Sequence, residues 1–146
     1  MSLAKVFHNN KLYLILLAFG LTQFSCRDLN ISPSYEAKYH YEALDNDGKL
    51  GVSGLFTINF KDSPDLQGKW EFFSENDSLE MGAQVGEGQL EGWVQGDTIS
   101  INLHPGYADH NVILHGRIEN KSISGQWSWI TFIGPTNQGT FVATKK

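Results

Sequence analysis

From Tyr35 to Leu44 the chain alternates strictly, with Tyr35, Ala37, Tyr39, Tyr41 and Ala43 interleaved by Glu36, Lys38, His40 and Glu42. A period of two predicts a half-buried strand, because successive side chains leave opposite faces of a sheet. Asp45-Asn46-Asp47-Gly48 predicts a turn, since Asp, Asn and Gly accept the backbone conformations that a tight reversal needs. Alternation resumes through Leu50, Val52, Gly54, Phe56, Ile58 and Phe60 and, after a loop holding Pro64, through Gly68, Trp70 and Phe72. The four prolines, at 33, 64, 105 and 135, are expected between strands, where a missing N–H does no harm. No segment after residue 26 carries a helical period.

The chain also repeats itself. Leu90-Glu-Gly-Trp-Val-Gln-Gly-Asp-Thr-Ile-Ser100 recurs as Leu114-His-Gly-Arg-Ile-Glu-Asn-Lys-Ser-Ile-Ser124. Each copy predicts two strands joined by a two-residue turn, Gly96-Asp97 or Asn120-Lys121. Such a turn fixes the register, so residues facing each other across it have a constant sum. Val94 then faces Ile99, Gly92 faces Ile101 and Leu90 faces Leu103. In the second copy Ile118 faces Ile123, Gly116 faces Gly125, Leu114 faces Trp127 and Val112 faces Trp129. These pairs are apolar or Gly, and those between them (Glu91/Asn102, His115/Gln126, Arg117/Ser124) are polar.

Leu79 to Gly88 fits one bent strand or two short ones, and either Phe141 and Ala143 or Thr140 and Val142 face inward in the last strand. The expected fold is all-β, an antiparallel up-and-down meander barrel of eight or nine strands, with a two-sheet sandwich as the alternative; closure removes exposed edges. Gly68-Lys69-Trp70 resembles the Gly-x-Trp that opens a lipocalin barrel, and Gly125-Gln126-Trp127 repeats it. In architecture the chain is thus similar to the calycin group of lipocalins, fatty-acid-binding proteins and avidins. In lipocalins that Trp plugs one barrel end beneath an Arg of the last strand, whereas this chain ends in Lys145-Lys146.

The first 26 residues have another character. Met1 to Lys11 carries Lys5, Lys11 and no acid, and Leu12 to Leu21 is an almost unbroken apolar run. Such a start reads as an export signal, too short in its apolar part for the roughly 20 residues that span a bilayer. Cys26 is the sole cysteine and directly follows the small Ser25. This resembles the lipobox of bacterial lipoproteins, which implies cleavage before Cys26 and lipid on its thiol. Gln23, where Leu is usual, and the bulky Phe24 depart from that pattern. The expected organisation is a signal peptide over 1–26, a tether over 27–33 and one barrel over 34–146. The implied location is the cell envelope, membrane-anchored, with a secreted soluble protein as the alternative.

Charge narrows the partners. Without residues 1–26 the chain keeps nine Lys+Arg against 16 Asp+Glu, a formal charge of −7. No basic cluster is present for phosphates, so nucleic acid is not an expected partner and the membrane is expected only through the lipid.

Catalytic chemistry is not apparent. No Ser stands on a G-x-S-x-G elbow, and no acid falls on the predicted inner face for glycosidase-type work. Asp45-Asn46-Asp47-Gly48 lacks the Glu that completes a calcium loop. By the register His104 and His115 point outward and His110 lies on the apolar face near a strand end, so a shared metal is not expected. No cofactor is expected. An apolar pocket built from Trp70, Tyr107, His110, Trp127 and Trp129 at one barrel mouth is the candidate ligand site, against a core that the same aromatics simply fill. Trp93 breaks the alternation by facing outward, and with Tyr107 forms a candidate partner surface. Two functions follow: non-covalent binding of a small apolar ligand, or docking to another envelope protein as an inhibitor or assembly factor.

Overall fold

The computed structural model of the protein describes residues 35–60 and 64–146. The expected signal peptide, Cys26 and the expected tether lie outside the described residues. Eight strands, β1 (Tyr35–Leu44), β2 (Leu50–Phe60), β3 (Asp65–Ser74), β4 (Gly86–Gln95), β5 (Thr98–Asn102), β6 (Asn111–Glu119), β7 (Ser122–Thr131) and β8 (Gly134–Lys145), pair in sequence order. β8 returns to β1, with Ala43 opposite Phe141 and Tyr41 opposite Ala143, which closes an antiparallel barrel.

The alternation of the sequence becomes inside and outside. Ala37, Tyr39, Tyr41 and Ala43 of β1 are buried, as are Val52, Phe56 and Ile58 of β2 and Leu66, Trp70 and Phe72 of β3. In β8 the inward set is Phe141 and Ala143, not Thr140 and Val142. The two repeated hairpins have the register that their two-residue turns dictate: Val94 pairs Ile99, Gly92 pairs Ile101, Gly116 pairs Gly125 and Leu114 pairs Trp127. The first residue of each turn, Gly96 (φ 64) or Asn120 (φ 54), takes the left-handed conformation that Gly and Asn tolerate best.

Aromatic rings fill the middle. Tyr41 stacks on Phe72 with centroids 4.3 Å apart, Tyr39 stacks on Phe56 at 5.2 Å, and Phe141 closes on Tyr41 at 5.8 Å. Rings at such spacings pack favourably, and each buried one contributes about 1.5–3 kcal/mol.

The two Gly-x-Trp motifs sit on β3 and β7, four strands apart in a ring of eight and so on opposite walls. They do the same job twice. A side chain at Gly68 would strike the Thr57 carbonyl of β2, and one at Gly125 would strike the His115 carbonyl of β6. The Trp70 indole donates to Leu103 O at 2.8 Å, and the Trp127 indole to Leu44 O at 2.9 Å. Each indole lies under a glycine of the next strand, Gly88 of β4 or Gly139 of β8. Both Trp rings therefore belong to the wall and filling of the barrel, with exposures of 3% and 0%.

The barrel has two unlike ends. The tight turns at 96–97 and 120–121 share one end with the entry at Tyr35 and the exit at Lys146. The opposite, loop end carries 45–49, 75–85, 103–110 and the Phe132-Ile133 turn. Pro135, expected between strands, instead lies at the start of β8, beside a register shift at Trp129/Ile130. A bulge tolerates Pro because the ladder is already interrupted there.

Candidate functional site

Of the stretch Leu79 to Gly88, only Gly86 to Gly88 are strand, the start of β4; residues 75–85 form a plug instead. Asn76 Oδ1 accepts from the Ser78 amide at 3.1 Å and its hydroxyl at 2.7 Å, which bends the chain back over the barrel. Leu79 and Ala83 rest on the core, Met81 is buried, and Gln84 is buried completely. Tyr41 Oη donates to Gln84 Oε1 at 2.6 Å and Gln84 Nε2 donates to Met81 O at 2.7 Å, so the inserted amide is satisfied on both sides. Burial pushes the Tyr41 phenol well above its ordinary pKa and keeps it a neutral donor. Asn137 Nδ2 donates to Glu80 O from the β8 side. Gly82 (φ 68) lies against Trp129; a Cβ there would be 2.6 Å from the indole Cγ.

Beside the plug, five rings meet at the rim. His104 stands edge-on to Trp70 at 5.2 Å, with Tyr107 at 6.4 Å and His110 at 6.1 Å, and His110 stands edge-on to Trp129 at 5.9 Å. Strand parity points His104 outward, but it turns inward over the rim. The strand ends at Asn102, whose Oδ1 accepts the His104 amide at 2.8 Å, and the resulting turn lets Nε2 reach Ala83 O of the plug. His110, expected on the apolar face, is exposed, because it precedes β6 and strand parity does not govern it. His104 and His110 line an open cleft of ≈ 510 Å³ with Leu103, Pro105, Tyr107 and Gly88. The Trp129 indole N–H is buried at this rim without a hydrogen-bond partner.

The five predicted ligand residues thus divide. Tyr107, His110 and Trp129 gather at the rim, Trp70 reaches it only as the floor under His104, and Trp127 lies in the core on the far wall. Trp93 faces outward as expected, half-exposed, its ring 6.4 Å from His115. It lines a second groove, of ≈ 490 Å³, on the outer wall of β3 to β6. Tyr107 does not share that groove: it lines the rim cleft, not the wall.

Sequence reasoning missed two features. One is the plug, because Gln84 reads as a surface amide until its partner Tyr41 is known. The other is Phe132-Ile133, 82% and 89% exposed at the tip of the β7–β8 hairpin. The signal was present: Gly134 takes φ 101 just after them, and a glycine ending an apolar run marks a turn. Among the described residues no group of three or more His, Cys, Asp or Glu is placed to hold a metal ion.

No protein-family model matches the chain, and no curated protein matches it.

Proposed function

We propose that this chain is an exported, lipid-anchored binding protein of the bacterial cell envelope that recognises another protein through the loop end of its barrel. The observation carrying this reading is the pair Phe132 and Ile133, 82% and 89% exposed beyond a core that has no use for them. Val85 and Tyr107 add further exposed apolar surface at the same end. Around them, among the described residues, the loops hold Asp45, Asp47, Glu75, Asp77, Glu80 and Asp109 against Lys49. An apolar tip within an acidic field fits a basic protein surface with an apolar recess, and repels anionic lipid.

Chain direction agrees. A lipid on Cys26 would hold the protein through the tether that enters at Tyr35, at the end opposite the loops. Such an anchor attaches at the end of the barrel opposite the loops, which leaves the loop end free for a partner.

A small apolar ligand remains the second reading, favoured by the rim cleft and the partnerless Trp129 indole N–H. The filled interior supports a rim site over a cargo inside the barrel. The test is in-cell photocrosslinking of the full-length chain from position 132, with position 121 at the opposite end as control. A discrete protein adduct from 132 alone, weakened by Asp77→Lys and Glu80→Lys, is the expected result. Equal adducts from both positions would refute the protein reading. An extra small mass on the native protein that vanishes with Trp129→Ala would favour the ligand reading.

A further inference from the structure

The groove around Trp93 has no part in the loop-end reading, and its chemistry differs from that of the rim. Strand pairing sets two rows across the outer wall. Asp65 of β3 lies opposite Trp93 of β4, which lies opposite Ser100 of β5, which lies opposite His115 of β6. Two residues along the strands, Gln67 lies beside Glu91, Glu91 beside Asn102, and Asn102 beside Ile113. Four neighbouring strands at about 4.8 Å spacing make a shelf roughly 14 Å across. The groove over it measures ≈ 490 Å³.

We infer that this groove binds a neutral carbohydrate chain, with the Trp93 indole as its stacking platform. Three properties select that ligand class. First, the indole is 40% exposed, so it forms a wall of the groove and not a knob like Phe132 or Ile133. A flat aromatic face at the side of a groove accepts the C–H face of a sugar ring. Second, the polar side chains facing it include hydroxyl, amide and carboxylate, from Ser100, Asn102 and Glu91, beside the apolar Ile113. Ser100, Asn102 and Glu91 offer both donors and acceptors to sugar hydroxyls, whereas a wholly greasy ligand would strip their water without replacing it. Asn102 spends its Oδ1 on the His104 amide, which fixes the side chain and leaves Nδ2 as its donor for the groove. Third, two acids and no Lys or Arg line the groove, which disfavours phosphorylated, sulfated or otherwise anionic chains.

The backbone beneath the platform is held on both sides. Trp93 sits on the ladder between β3 and β5, in a hairpin whose register is fixed by its turn, so little ordering is needed on binding.

The experiment is calorimetric titration of the full-length chain in detergent with three neutral trisaccharides: triacetylchitotriose, cellotriose and maltotriose. At least one is expected to bind. Trp93→Ala should then weaken that binding by at least about tenfold, Trp93→Phe less, and Asn102→Ala by several-fold. Val142→Ser, exposed on β8 at the opposite outer wall, should leave it unchanged. No heat from any of the three at about 1 mM sugar overturns the inference, as does binding that survives Trp93→Ala. If Trp93→Ala should fail to fold, Glu91→Gln together with Asn102→Ala probes the same groove from exposed or half-exposed positions, and unchanged sugar binding there overturns the inference equally. A protein adduct from a photocrosslinker placed at position 91, without sugar binding, overturns the inference and assigns the groove to a protein instead. Failure here leaves the crosslink from position 132 untouched, since the two surfaces share no residue.

Discussion

Removing one hydroxyl, by Tyr41→Phe, tests whether the 75–85 segment is truly a plug. The ring would keep its stack on Phe72 at 4.3 Å and its contact with Phe141 at 5.8 Å, so packing is conserved. What is lost is the 2.6 Å bond to Gln84 Oε1, and that acceptor is completely buried. An orphaned buried acceptor costs about 1–3 kcal/mol. For a domain of this size each kcal/mol lowers Tm by roughly 4 °C. Gln84→Met orphans the Tyr41 hydroxyl and Met81 O and should cost a similar amount. The double variant should cost clearly less than the sum, by about 0.5–3 kcal/mol, since neither end of the 41–84 bond is then left waiting and only Met81 O is. Urea unfolding of the four proteins closes this cycle.

Alkali gives an independent reading. Burial raises the pKa of Tyr41 in the folded state, whereas the unfolded phenol ionises near ~10. Above that pH the unfolded state has lost a proton that the folded state retains. The stabilisation is therefore complete below pH ~10 and declines as pH rises towards the folded pKa. Tyr39 contributes in the same direction, through burial and then the neighbouring Tyr35. Tyr41→Phe should flatten the fall without abolishing it. A Tyr41→Phe variant within about 0.5 kcal/mol of the parent, with an unchanged alkaline slope, would mean that Gln84 is not inserted in the barrel.

Three further outcomes are expected. Gly68→Ala forces a methyl onto the Thr57 carbonyl and should cost at least about 1–3 kcal/mol, as overpacking does, measured by thermal unfolding. Phe132→Ser with Ile133→Ser should leave stability within about 0.5 kcal/mol per site, because both side chains are exposed, while binding of a hydrophobic dye falls. Cys26→Ala should release the chain from the membrane fraction on cell fractionation; retention would remove the lipid from the proposed function.

The barrel is legible in the sequence because one face of it is buried. Wherever inside and outside alternate, as in β1, β2 and the two repeated hairpins, a slip of one residue would turn Tyr41, Ile58 or Leu114 outward, so pattern and register imply each other. Legibility stops where strands stop. Strand parity misplaces His104 and His110 because it is extended past Asn102 and before Asn111, where the chain follows an Asx turn and a loop. The plug is illegible because its decisive contact joins Gln84 to a residue 43 positions away, and no local period encodes it. Phe132 and Ile133 escape notice because an apolar pair after Trp129 reads as more strand; only the left-handed Gly134 says otherwise.

Where recognition can lie follows from how the interior is spent. A barrel of eight strands is just wide enough for its own side chains, and here the opposed indoles of Trp70 and Trp127, the Tyr41–Phe72 stack and the inserted Gln84 occupy it. Emptying it for a ligand would break the Tyr41–Gln84 bond and expose Met81, without any compensating contact in the protein itself. The loops and outer wall have no such constraint. Phe132 and Ile133 project from the β7–β8 tip, while Trp93 stands two residues before the end of β4, near the opposite end of the barrel. Partners at these two places would not compete for side chains. On the proposed reading the geometry then has an order: lipid and tether at the hairpin end, a glycan chain gripped on the wall close to that end, and the loop end left free for a protein. Competition between trisaccharide and the position-132 adduct would contradict that order, because it would require two surfaces near opposite ends of the barrel to be coupled through its wall.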